Sequence, residues 1–405
     1  MHRDIRSLCD ISSIAVDDRF VFLGILGADS STAIFDQQTL EFIGLFKYMC
    51  GSITKLLSLR EFNKLVCLTS AGYLYIWDTS EETIARLKRI THDPLTLDGF
   101  VHPDVRVNPV AAVTPASLDE CVDVDHIPGT SLLVSLDSSG ELTFVDIHTG
   151  VKKGSCRPIE SGNGLLCIKV QTVVTTFRGK KGHFAAIGGT KGQVIVVFLP
   201  IQDDMVDVND IYTLCEKTAD CVDLVCVDFR RKLGPTSSIT LVAGCSDGSL
   251  RCLVYKHTDD ELVSHKSASY VHCRAARKGH INRILALCDD GNPYAVSLCT
   301  MQLSHDFYTP PVNSTKPLPA DSSTFCTEII LQTLLPDQCD SFGILAQVRE
   351  FVVDIAVGAN SHSILYATSD EIFVIRRSTE SKQWLKPQKM EWLTPENRKL
   401  MTKLM

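Results

Sequence analysis

The sequence predicts an all-β chain assembled from one repeated hairpin unit. Three observations predict it. A short apolar run, a tight polar turn and a second, alternating apolar run recur along the chain. Glycine occupies the turn in most copies, and an Asp closes the second run in several. No apolar stretch approaches the roughly 20 residues of a membrane-spanning helix.

The clearest copy is KLVCLTSAGYLYIWD, 64–78. The turn Ser70-Ala71-Gly72 joins an apolar run to the alternation Tyr73-Leu74-Tyr75-Ile76-Trp77, and Asp78 follows. ADSSTAIFDQQTLE (28–41) places Phe35-Asp36 where Trp77-Asp78 stands, and DSSGELTFVDIHTG (137–150) places Val145-Asp146 there. GTKGQVIVVFLP (189–200) and CSDGSLRCLVYK (245–256) keep the turn and the strand without the Asp; ATSDEIFVIRRS (367–378) is a further likeness. Two such runs around a tight turn make a hairpin, and glycine suits the turn because it reaches φ > 0 without a Cβ clash. The predicted turn residues are Ser30, Gly72, Gly140, Gly192 and Gly248.

A single four-stranded unit cannot bury both faces, whereas several stacked around an axis can. The expected architecture is a single β-propeller. The first turn-to-turn spacing fits a blade of roughly 40–45 residues; the later spacings are longer and require inserted loops. Units are expected at about 10–46, 50–90, 121–160, 164–217, 219–267, from Gly279-His280, and at 342–386, seven four-stranded blades in all. The Pro-containing segment 91–120 reads as an inserted connection. The predicted organisation is a propeller over 1–390 followed by a tail over 391–405. In that tail Thr394 is placed to cap a short helix, with Pro395 at its first position and Leu400, Met401, Leu404 and Met405 on one face. Packing against the side of the propeller is its expected role.

On these residues the sequence resembles a divergent WD-repeat propeller. Gly72 with Trp77-Asp78, Ser30 with Phe35-Asp36, Gly140 with Val145-Asp146, and SDGSLRCLVY at 246–255 carry the likeness. The Gly-His pair that opens a blade in that family is matched by Gly279-His280. The resemblance implies a non-catalytic scaffold that binds other proteins within larger complexes.

The formal net charge of -8 disfavours a globally basic nucleic-acid binder, and no sequence-specific nucleic-acid contact is expected. The start, MHRDIRSLCDISS, lacks an apolar signal core. The 16 cysteines contain no C-x-x-C and sit mostly in apolar runs, which points to small buried hydrophobes in a reducing compartment, cytoplasmic or nuclear.

Neither a nucleophile elbow nor a phosphate-binding lysine loop occurs, so no catalytic residue and no cofactor are predicted. His265, His272, Cys273 and His280 are zinc-type ligands, but their spacing lacks the close pairs of a compact site, and no metal is predicted. The candidate binding site is basic. FRGKKGH (177–183) and FRRKLGP (229–235) join the first two strands of successive units. They should therefore be neighbours on one face, bringing together Arg178, Lys180, Lys181, Arg230, Arg231 and Lys232. Such a cluster suits an acidic peptide or an anionic lipid headgroup. Asp203, Asp204, Asp259 and Asp260 belong on the same face and are expected to offset it. FRRKLG also resembles the F-R-R-G motif of phosphoinositide-binding propellers, though Lys232 and Leu233 intervene and the motif follows a first strand. The alternative function is recruitment to anionic membranes.

Overall fold

The computed structural model describes residues 10–26, 30–92, 107–113, 121–158, 164–217, 224–229, 238–271, 279–289, 292–303, 324–333, 342–358 and 362–404. These form seven antiparallel sheets, each with a four-strand core drawn from one continuous part of the chain. The first strand of every sheet contributes to one axial cavity. The result is a seven-bladed propeller, with blades at 10–49, 53–113, 121–156, 165–217, 224–271, 279–348 and 354–390.

The repeat has a physical basis. Gly72, Gly140, Gly192 and Gly248 all have positive φ, 75°, 88°, 70° and 82°, at the turn between second and third strands. Ser30 differs from expectation: it is the first residue of the strand Ser30–Asp36 and pairs with Met49 in the outer strand, so the ladder extends through it. Asp36 and Asp146 end their strands in the same local turn. Each Oδ1 accepts bonds from the backbone N–H groups two and three residues on, and from the hydroxyl of Thr39 or Thr149. This Asx-type closure is why Asp recurs there.

Asp78 holds the same position but launches a helix instead. It accepts from the Ser80 and Thr83 hydroxyls and from Lys64 Nζ, and α1 (Glu81–His92) follows. Ile84, Leu87 and Thr91 of α1 are buried. A Cβ on Gly44 would stand 3.0 Å from Thr91 Oγ1 and 3.3 Å from Leu87 Cβ, so the missing side chain lets the helix lie against the outer strand of blade 1. The fourth strand of blade 2 is Ala111–Val113, inside the segment expected to be a connection. Three residues flanked by Pro109 and Pro115 leave too short an apolar run to register as a strand. Trp77 is fully buried and stacks on Phe46 at 4.5 Å, joining blades 1 and 2.

The boundary of the last blade also moves. Phe342–Val348, expected to begin blade 7, pairs with Thr324–Thr333 and is the outer strand of blade 6. Blade 7 begins at Asp354–Val357. Both stretches are short and apolar, and periodicity alone does not distinguish an innermost strand from an outer one.

The tail closes the ring. α2 (Pro395–Leu404) begins as expected, with Thr394 Oγ1 accepting from Asn397 N at 3.2 Å. Trp392 and Met401 are buried in one cluster with Phe35 and Phe42 of blade 1 and Leu365 and Val374 of blade 7. Leu400 and Leu404 pack against it; Met405 lies outside the described residues. Asn397 Oδ1 accepts from Phe42 N, and its Nδ2 donates to Leu40 O and Trp392 O.

Candidate functional site

Blade 4 is taller than its neighbours. Its second and third strands, Lys180–Gly189 and Gln193–Gln202, run on past the blade and gain two short partners, Thr175–Phe177 and Met205–Val206. This ledge holds the first predicted basic loop. Phe177 pairs with Lys180 across Arg178-Gly179, whose φ angles of 52° and 72° make a two-residue primed hairpin turn.

The ledge uses two of its cations internally. Arg178 N donates to Asp259 O, and Arg178 Nε donates to Asp260 O at 3.1 Å, tying blade 4 to the last loop of blade 5. Its guanidinium lies 4.4 Å from the Tyr212 ring centre and 5.6 Å from that of Phe177. Lys180 Nζ pairs with Asp207 at 2.8 Å and Asp210 at 2.9 Å. Those hydrogen bonds push the Lys180 amine up and hold the Asp207 carboxyl down. The acids that offset Lys180 are thus Asp207 and Asp210, rather than Asp203 and Asp204, which form the next turn with φ of 51° and 60°. Asp259 and Asp260 engage Arg178 through their carbonyls. Lys181 is exposed, as are Val173, Val174 and Met205 on the same blade. Arg230, Arg231 and Lys232 lie outside the described residues, so the structure brings three of the six predicted cations onto one ledge. The contact between Arg178 and the 259–260 loop places the loops of blades 4 and 5 side by side, as the topology required.

A second polar site was not anticipated. The axial cavity, about 360 Å³, is ringed by Lys55, Asp123, Lys169, Asp228, Arg283 and Asp354 from first strands. Lys55 pairs with Asp123 at 2.7 Å, Lys169 with Asp125 at 3.2 Å, and Arg283 with Asp354 at 3.1 Å. Arg283 also reaches the Thr54 carbonyl of blade 2 at 3.2 Å. The acids act as struts between blades. Asp123 and Asp125 accept from Ile168 N and Val170 N, Asp228 from Ala286 N, and Asp354 from Ile14 N and the Ser13 hydroxyl. A signal for this ring is present in the sequence: one charge set inside an apolar first strand, as in ITKLLSL, LLCIKV and LVCVDF.

Of the four zinc-type residues, the structure describes His265 and His280. His280 Nδ1 lies 3.3 Å from Ser246 O in the preceding blade's hairpin, and His265 is exposed; His272 and Cys273 lie outside the described residues. Among the described residues no group of three His, Cys, Asp or Glu side chains is placed to hold a metal. Burial pushes the thiols of Cys67, Cys121 and Cys156 up to about 12, so they are protonated and unreactive at neutral pH.

The fold is shared with solved structures. A structure of the RRP9 WD40 repeats matches with a TM-score of 0.54 and 10% identity, covering 89% of this chain and 88% of that one. The structure of U3-55K matches with a TM-score of 0.52 and 10% identity, covering 89% of each chain. No protein-family model and no curated protein matches the sequence. The chain therefore shares the β-propeller fold of these WD40-repeat structures.

Proposed function

We propose that the chain is a non-catalytic protein-interaction scaffold, a subunit or adaptor of a larger intracellular assembly, with the blade 4–5 loop face as its contact surface. The ledge of blade 4 carries this reading. Its internal ties to Asp207, Asp210 and the 259–260 loop hold it in place before any partner arrives. A pre-ordered surface loses little entropy on binding. The ledge presents exposed Val173, Val174 and Met205 beside Lys181, an apolar and cationic combination suited to a protein surface with an acidic rim. No described helix is long and apolar enough to cross a membrane.

The anionic-membrane alternative uses the same face, and the pairing of Lys180 with two carboxylates reduces the charge available to a headgroup. Tagged full-length chain, purified beside flotation with phosphoinositide-containing liposomes, separates the two readings. The scaffold reading expects protein partners in stoichiometric amounts, lost when Val174→Asp and Lys181→Glu are combined, with melting temperature unchanged. A chain that purifies alone and floats with the liposomes, losing flotation on reversal of Arg230 and Arg231 to Glu, overturns it.

A further inference from the structure

We infer that the short strand Thr175–Phe177 is a docking edge for an extended, acidic segment of a partner protein, which adds to it as one further β-strand. This rests on the scaffold reading and names the partner's chemistry.

Hydrogen-bond register supports the edge. Thr175 pairs with Gly182, Thr176 with Lys181 and Phe177 with Lys180. In an antiparallel hairpin closed by two residues, the pair flanking the turn exchanges hydrogen bonds and the next pair does not. Phe177 and Lys180 are therefore the bonded pair. The N–H and C=O of Thr176 point away from Lys181, toward an edge that takes no strand partner among the described residues. Thr176 is itself exposed. The strand pairs with the same side of Lys180–Gly189 as the innermost strand Leu165–Val170 does. It thus continues the innermost position of the blade, and the next outward donor along that edge, Arg178 N–H, bonds to Asp259 O of blade 5.

The side chains set the partner's character. Val174, two residues before Thr176, is 58% exposed. Lys181, directly opposite Thr176, is exposed, whereas neighbouring Lys180 is neutralised by Asp207 and Asp210. An added strand gains main-chain bonds from Thr176, apolar contact at Val174 and charge complementarity at Lys181. An extended segment alternating apolar and acidic residues meets all three.

The test uses the full chain and short synthetic peptides alternating Val with Asp, beside a series with Lys in place of Asp, measured by fluorescence anisotropy. The Asp series should bind the parent and Thr176→Ala alike. Thr176→Pro removes only the edge donor, at a position where an edge strand accepts proline, and should weaken binding on the order of tenfold. Lys181→Glu should transfer the preference to the Lys series, a readout that stands even where Thr176→Pro lowers the melting temperature. Equal binding to Thr176→Pro and parent, failure of Lys181→Glu to change the preference, or no binding of either series to the parent overturns the inference. Protein partners that still co-purify with Thr176→Pro sink the docking edge alone, while a parent chain that recovers no partner sinks the scaffold reading.

Discussion

The contact between blades 3 and 4 and the contact between blades 7 and 1 use the same strut, yet only one of them has a strap. At the first, Asp123 and Asp125 accept from Ile168 N and Val170 N. At the second, Asp354 accepts from Ile14 N and Ser13 Oγ. Blades 3 and 4 are neighbours in sequence, and the chain itself keeps them together. Blades 7 and 1 hold the two ends of the ring, and no strand crosses between their sheets among the described residues. There the tail adds Trp392, Met401 and the three bonds of Asn397. Side-chain packing at the seam supplies what covalent continuity supplies elsewhere.

Removing the strap should have the largest effect. Trp392→Ala alone is expected to cost about 3–5 kcal/mol, the usual range for a buried aromatic, and deletion of 391–405 more. The interior counterpart is Trp77→Ala, with a similar cost from the blade 1–2 core. Amide exchange separates them. Strap loss should accelerate exchange in Asp10–Val16 and Asp354–Val357 ahead of global unfolding, whereas Trp77→Ala should lower the melting temperature without singling out those strands. Equal exchange patterns would show that the seam does not depend on the tail.

The struts come next. Asp354→Ala removes the carboxylate that accepts from Arg283 Nε, Ser13 and Ile14 N, and Asp123→Ala removes the one that accepts from Lys55 and Ile168 N. Breaking a buried pair costs about 3–5 kcal/mol, and partial exposure of Arg283 and Lys55 places both near the lower end. The two losses should match in denaturant titration. Only Asp354→Ala should open the ring, seen as faster exchange at Ile14; an identical response from Asp123→Ala would remove the distinction between seam and interior. Asn397→Ala is milder, about 1–3 kcal/mol for the buried Phe42 N–H left unpaired, and should reproduce the strap-loss exchange pattern in weakened form.

The repeat was legible because its turns are chemically demanding. Gly72, Gly140, Gly192 and Gly248 need positive φ, and Asp36 and Asp146 close their turns through their own side chains; both requirements leave fixed residues in the sequence. Strand identity was less legible. Phe342–Val348 and Asp354–Val357 are both short apolar runs, and which of them lines the axis depends on partners far away in sequence. α1 was hidden because Asp78, in the repeat's usual place, serves there as a helix-starting acceptor. The pairing of Lys180 with Asp207 and Asp210, rather than with the nearer Asp203 and Asp204, follows from the hairpin turn at 203–204 bringing Met205–Val206 back along Gln193–Gln202. Charge counting along the chain carries no such geometry.

The smallest expected effect distinguishes the two contacts by pH. His183, on blade 4, is buried, its Nδ1 2.8 Å from Gln171 O, with the Pro128 carbonyl and His126 of blade 3 nearby. Burial holds its imidazolium form down, and the charge of His126 adds to this, against the opposing pull of backbone carbonyls. Its folded value therefore lies below the unfolded one, near 6.5. The unfolded chain binds the proton more readily, so the stabilisation is fully present above about pH 6.5 and is lost as pH falls through the folded value. Between pH 7 and 5 the blade 3–4 contact should loosen modestly, seen as faster exchange in 127–131 and at Gln171. The seam should hold, because no histidine is among the described groups that strut and strap it. His183→Gln should flatten the response at blades 3 and 4 and leave the seam unchanged. Loosening of the seam first, or a response that survives His183→Gln, would assign the acid sensitivity to another group.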